Sequence, residues 1–129
     1  MTRPGTYFMS WPEIEPERTA AFSSMLISRE LTDVTIACED DQIQAHKVIL
    51  SAASPVFQNV LNRNPHNHPL LYFHGISKKD MEVITNFIYS GETQVPMDGL
   101  DTFLNFAKAF KLKGLMEDKV SIDSVYTFK

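Results

Sequence analysis

"LTDVTIACEDDQIQAHKVILSAASPVF", residues 31 to 57, is the stretch whose reading decides the fold. Val34, Ile36 and Cys38 alternate with Thr35 and Ala37, which is the two-residue period of a strand with one buried face. Ile43 and Ala45 alternate with Gln42 and Gln44 in the same way, and Glu39, Asp40 and Asp41 form an acidic turn between the two runs. A hairpin follows. Matching the apolar faces pairs Ile36 with Ile43 and Val34 with Ala45, because a slip of one residue would turn the whole apolar set toward water. That register brings Asp33 to the open end of the hairpin beside His46 and Lys47, so a polar cluster forms by strand pairing. A short helix from Lys47 to about Ala52 comes next. Ser54 as N-cap and Pro55 at the first helical position then begin a second helix carrying Phe57, Val60 and Leu61.

Upstream, "PEIEPERTAAFSSMLISRE", residues 12 to 30, has Phe22, Met25, Leu26 and Arg29 at helical spacing. It predicts a helix from about 16 to 29, with Pro16 tolerable in its first turn. Downstream, "RNPHNHP", residues 63 to 69, has turn composition, and "LLYF", residues 70 to 73, reads as a short buried strand. "SKKD", residues 77 to 80, opens a helix in the manner of a capping box; Met81, Val83, Ile84, Phe87 and Ile88 follow, and Gly91 stops it. Asp98 is the expected cap of a last helix with Leu100, Phe103, Leu104, Ala107 and Phe110 facing inward and Gly114 closing it. "EDKVSIDSVYTFK", residues 117 to 129, mixes charge with Val, Ile, Tyr and Phe, and reads either as a loose tail or as a strand needing another surface. Strands and helices mixed in order, with more helix than sheet, make an α/β or α+β domain.

A chain of 129 residues fits one domain, able to bury about 68% of the surface its unfolded form exposes. The single cysteine, Cys38, forms no internal disulfide and is expected to act as a small core hydrophobe. No apolar run reaches the ~18 residues of a membrane span. Pro4, Pro12, Glu13 and Glu15 interrupt any signal-peptide pattern, so the expected setting is a reducing compartment, cytosol or nucleus, without membrane contact. The net charge of −4 supplies no positive field for a phosphate backbone, so direct nucleic-acid binding by this chain is not expected.

Four segments together are specific: "LTDV" at 31 to 34, "AHKVILSAASPVF" at 45 to 57, "FIYSGE" at 87 to 92 and "FLNFAKAFKLKGL" at 103 to 115. In this order and spacing the chain resembles the BTB (POZ) domain. The resemblance spans residues 7 to about 116, leaving 1 to 6 as a disordered leader and 117 to 129 as a tail or linker. "YFMSW" at 7 to 11, "HP" at 68 to 69 and "KGL" at 113 to 115 further resemble the insect group of BTB transcription regulators, whose domains begin with an aromatic strand of the form F-x-L-x-W. Two positions depart from that group. Pro12 and Glu13 follow Trp11 where the group continues W-N-N, and Arg18 stands where it carries a leucine. These departures bear on how the first helix begins and on any higher assembly built from that corner.

An enzymatic reading of the polar cluster takes Ser51 or Ser54 as nucleophile, His46 as base and Asp33 as orienter. It lacks a nucleophile elbow, oxyanion donors and a glycine-rich phosphate loop, so no catalytic residue is assigned. A metal reading rests on His66 and His68, an isolated H-x-H in a turn without the paired ligands zinc prefers; neither metal nor cofactor is expected. Asp33 and Lys47 admit two readings: an ion pair closing the hairpin, or, as the resemblance implies, a charged pair at the floor of a groove shared by two chains. Tyr7, Phe8, Met9 and Trp11 form a strand that needs a sheet edge, either in its own chain or, as the resemblance implies, in a second copy. On the second alternative these four, with Phe22, Met25, Leu26 and His46, make the dimer interface.

The resemblance therefore implies a non-catalytic homodimerisation and interaction module of a nuclear transcription regulator, with the cytoplasm as the other setting. It would pair chains whose separate regions read DNA and recruit co-regulators. The runner-up is a substrate adaptor for a cullin-type ubiquitin ligase. A channel-type tetramerisation domain fits poorly with the aromatic first strand.

Overall fold

The computed structural model describes residues 5–115; the tail 117–129 and most of the leader 1–6 lie outside the described residues. The elements in chain order are α1 (Ile14–Ser28), β1 (Val34–Ala37), β2 (Gln42–Ala45), α2 (Lys47–Ala53), α3 (Pro55–Arg63), β3 (Leu70–Tyr72), α4 (Lys78–Ser90) and α5 (Leu100–Ala109). Short 3-10 turns occupy Met97–Gly99 and Lys113–Leu115.

The hairpin has the expected register, Val34 opposite Ala45 and Ile36 opposite Ile43, in an antiparallel pair. β1 lies in the middle of a three-stranded sheet of order β2-β1-β3, with β3 parallel to it. Val34 and Ile36 are fully buried and open the core toward Leu50, Phe57, Met81, Ile84 and Phe103. Cys38 belongs to the same cluster, and burial pushes its thiol above the ordinary range, so it behaves as a hydrophobe. β3 differs from expectation. It is an edge strand, with Leu70 and Tyr72 more than half exposed and Leu71 and Phe73 turned to the core, because no neighbour among the described residues covers its outer face.

Ser54 is the joint of the helical layer. Its hydroxyl accepts the Phe57 N–H at 3.1 Å, capping α3, and donates to the Phe110 carbonyl beyond the end of α5. That brings Phe57 against Phe110, Phe106 and Phe73, with ring centroids 4.7, 6.1 and 6.2 Å away. Ser77 caps α4 by accepting the Asp80 N–H, and Gly91 ends it at φ 86°, a left-handed conformation that suits a residue without Cβ.

The ends of α5 correct two expectations. Asp98 does not cap it: the chain enters through the 3-10 turn, Gly99 donates to the Pro96 carbonyl, and no side chain caps the start. Gly114 does not close it either. Lys111 takes the left-handed position at φ 52°, and Leu112 and Lys111 donate to the Ala107 and Lys108 carbonyls, which completes a Schellman ending without glycine. Gly114 is instead a point of close approach, since a Cβ there would meet Phe87 Cζ at 2.8 Å.

Candidate interaction site

The polar cluster forms where the hairpin meets α2, but its bonds differ from an ion pair. The first four N–H groups of a helix have no partner inside it. Asp33 Oδ1 accepts the backbone N–H of Lys47, the first residue of α2, at 2.8 Å. Its charge thus sits at the positive end of the helix. The Lys47 ammonium turns elsewhere, to the carbonyl of His66. The half-buried Asp33 and Lys47 are neighbours in the fold and are not ion-paired.

His46, expected at the interface, has its side chain behind the surface of this chain, only 6% exposed. Nδ1 and the backbone N–H both meet the Tyr89 hydroxyl, at 2.7 and 2.9 Å, and Nε2 meets the Glu30 carbonyl at 2.7 Å. The Glu30 carbonyl can only accept, so Nε2 carries the ring proton, and Nδ1 accepts the Tyr89 hydroxyl, whose oxygen also accepts the His46 backbone N–H. Burial pushes the Tyr89 phenol up to about 12, which keeps that donor protonated. Both ring nitrogens are thus engaged away from any serine. Ser54 and Asp33 are committed to helix ends, so the His46 ring, Ser54 and Asp33 each make structural bonds elsewhere and none to one another.

Sequence reasoning took the acidic turn as punctuation, yet each of its carboxylates has a partner. Glu39 accepts the Tyr72 hydroxyl at 2.7 Å and the Gly75 N–H at 3.0 Å, and these bonds hold its carboxyl below the ordinary range. Asp40 accepts the first N–H of α4, from Lys78, at 2.8 Å. Asp41 accepts the Gln42 N–H and meets the Lys78 ammonium at 3.2 Å, which lowers its carboxyl as well. Two helices, α2 and α4, are therefore capped by acids from the ends of one hairpin strand. Their chain separations, 14 and 38 residues, hid them from a local capping pattern.

His66 and His68 do not converge: the first offers its carbonyl to Lys47, and the ring of the second bonds Thr35 and Gln44. Among the described residues no three metal-ligating side chains come together.

The N-terminal segment departs from its expected strand. Tyr7 to Trp11 belongs to no helix or sheet and is not folded back onto its own chain: Tyr7, Phe8 and Met9 are 81 to 87% exposed. Among the described residues no sheet edge receives it. α1 runs beside α4 but buries none of its 15 residues fully; Phe22, Met25 and Leu26 are half-covered. Ile27 and Leu31 at its end, and Val48 at the start of α2, are exposed apolar side chains that sequence reasoning missed. The His46 to Glu30 bond joins those two regions. A second unpaired segment lies at 92 to 96, where Thr93 and Val95 are half-buried and Glu92, Gln94 and Pro96 exposed, a period of two outside any strand.

Comparison with known proteins bears on this arrangement. The BTB/POZ domain family matches residues 22–122. The chain is 36% identical over 116 residues to the Longitudinals lacking protein-like of Drosophila melanogaster, covering 90% of this chain and 91% of that protein. It is 35% identical to Protein bric-a-brac 2 of the same organism over 111 residues, 86% of this chain and 10% of that one. Its fold matches the BTB domain of zebrafish PATZ1 with a TM-score of 0.76 at 20% identity, covering 96% of this chain and all of that one. The BTB domain of human gigaxonin matches with a TM-score of 0.70 at 26% identity, over 86% and 92% of the two chains. None of the described helices is long and apolar enough to cross a membrane. The sequence signature, the sheet with its helical layer and these likenesses agree: the chain belongs to the BTB/POZ domain family, whose members are protein-interaction modules.

Proposed function

We propose that the chain is a non-catalytic homodimerisation module of a nuclear transcription regulator, which pairs DNA-reading chains and recruits co-regulator proteins. The observation that carries this reading is the uncovered apolar surface at the chain's beginning: Tyr7, Phe8, Met9 and Trp11 lie open beside a helix with no fully buried residue. Helices in proteins draw most of their stability from a packed face, and contiguous exposed apolar surface is where partners bind. Covering the aromatic segment contributes ~1.5 to 3 kcal/mol per large side chain, the scale of an obligate association.

The unpaired segment 92 to 96, with its strand-like alternation, is the proposed receiver for residues 7 to 11 of a second copy, an isologous exchange made twice across a two-fold axis. Phe22, Met25 and Leu26 then meet their counterparts along α1, and the exposed Leu31 and Val48 lie where the bond from His46 to Glu30 joins the end of that helix to the start of α2. Asp33 and Lys47 are assigned to the groove beside it, where co-regulators would find two half-buried charges not neutralised by each other. Light scattering of the full chain against a chain lacking residues 1 to 12 tests the reading. The full chain is expected as a dimer at micromolar concentration and the shortened one as a weaker dimer or a monomer. Tight binding to the N-terminal region of a cullin would favour the adaptor role instead.

A further inference from the structure

The turn between α1 and β1 holds two strained residues. Arg29 and Leu31 have φ of 62° and 60°, a left-handed conformation disfavoured for side chains of this size. Such strain persists only where the surroundings over-determine it. The carbonyl between them, that of Glu30, receives the Nε2–H of His46, a buried ring whose Nδ1 accepts the Tyr89 hydroxyl. The weaker local bonds, from Thr32 to the Arg29 carbonyl and from Ser28 to the Glu30 carboxylate, are exposed. The result of the strain is visible in Leu31, an apolar side chain held 81% exposed rather than turned into the core.

We infer that His46 is a positioning residue: through Glu30 it latches the α1–β1 turn in its strained form and so presents Leu31 to a second copy of this chain. The occupant rests on the dimer reading above, and the bond from His46 to Glu30 sets the exposed Leu31 beside the start of α2, where Val48 is exposed as well, next to the uncovered N-terminal surface of that reading. The latch itself is a property of one chain. Its chain of contacts is short and complete: α4 through Tyr89, the start of α2 through His46, and the end of α1 through Glu30.

The test uses the full chain. Nitrogen NMR should show a bare Nδ1 and a protonated Nε2 on His46, and left-handed backbone shifts at Leu31. Trypsin cleavage after the exposed Arg29 reports opening of the turn. His46→Leu should speed it roughly tenfold, the equivalent of one ordinary hydrogen bond. His46→Gln, which retains an amide donor, should recover most of the protection. If His46→Leu does not fold, Tyr89→Phe replaces it; it removes the two bonds that hold the His46 ring and backbone, and several-fold faster cleavage is expected. Leu31→Ser should raise the dimer dissociation constant at least tenfold while leaving the His46 tautomer unchanged. A protonated Nδ1, or cleavage no faster in His46→Leu than in the parent chain, overturns the latch. A parent chain that stays monomeric while keeping both signals overturns the dimer reading and the second copy as occupant, and leaves the latch supported.

Discussion

Breaking the Asp33 and Lys47 cluster one residue at a time separates the two accounts of it. Asp33 accepts a backbone N–H at the start of α2, so Asp33→Ala removes a cap, worth about 1 kcal/mol with a range of 0.5 to 2. It also removes a negative charge from the positive helix end, worth another 0.3 to 1 kcal/mol at a partly exposed site. The sum is about 1 to 3 kcal/mol. Lys47→Ala removes only the ammonium's bond to the His66 carbonyl, about 1 kcal/mol or less, and leaves the N–H that Asp33 accepts in place. The two losses should therefore add, with a coupling below about 0.5 kcal/mol in a double-mutant cycle. The assay is urea unfolding of the four chains at one protein concentration, since a dimer's stability depends on it. An ion pair would instead couple the two residues, because removing one partner strands the other's charge. A coupling above about 1.5 kcal/mol would refute the backbone-cap account.

Ser54→Ala should destabilise by about 2 to 3 kcal/mol in the same assay, since it removes the α3 cap and leaves the Phe110 carbonyl without its donor; a loss under about 0.5 kcal/mol would contradict that role. On acidification, Glu39 and Asp41 have folded values below their ordinary 4.5 and 3.8. Their contribution is thus present above those values and lost as pH falls through the lower folded ones. Urea midpoints should fall in that window, less steeply in Glu39→Gln, and a rise would contradict the sign. At the alkaline end the Tyr89 phenol is raised from 10.0 to about 12, so its contribution holds below 10.0 and is lost as pH rises through about 12. Tyr89→Phe should flatten that limb of the stability curve, and an unchanged limb would contradict the assignment.

What the sequence made legible were features encoded within a few residues or by strict periodicity. The alternation around Glu39 to Asp41 placed the hairpin register, because only one pairing buries Val34 and Ile36 together. Ser54-Pro55 and Ser77 announced their helices through local caps. The illegible features are long-range. Asp40 caps a helix 38 residues away, and His46 reaches both Glu30 and Tyr89; no spacing rule reports either. The Schellman ending at Lys111 was missed because a lysine supplies a conformation usually given to glycine. β3 read as buried because its apolar run says nothing of which edge it occupies. The segment 7 to 11 read as a strand, yet among the described residues no strand pairs with it.

Trp11 is the single tryptophan of the chain and lies 55% exposed in one copy, so its emission reports whether the first segment is covered. Fluorescence and mass should be followed together through a dilution series. The account predicts blue-shifted emission and a dimer mass at micromolar concentration, with both reverting in step on dilution. Water-exposed emission and a monomer mass at every concentration would contradict it.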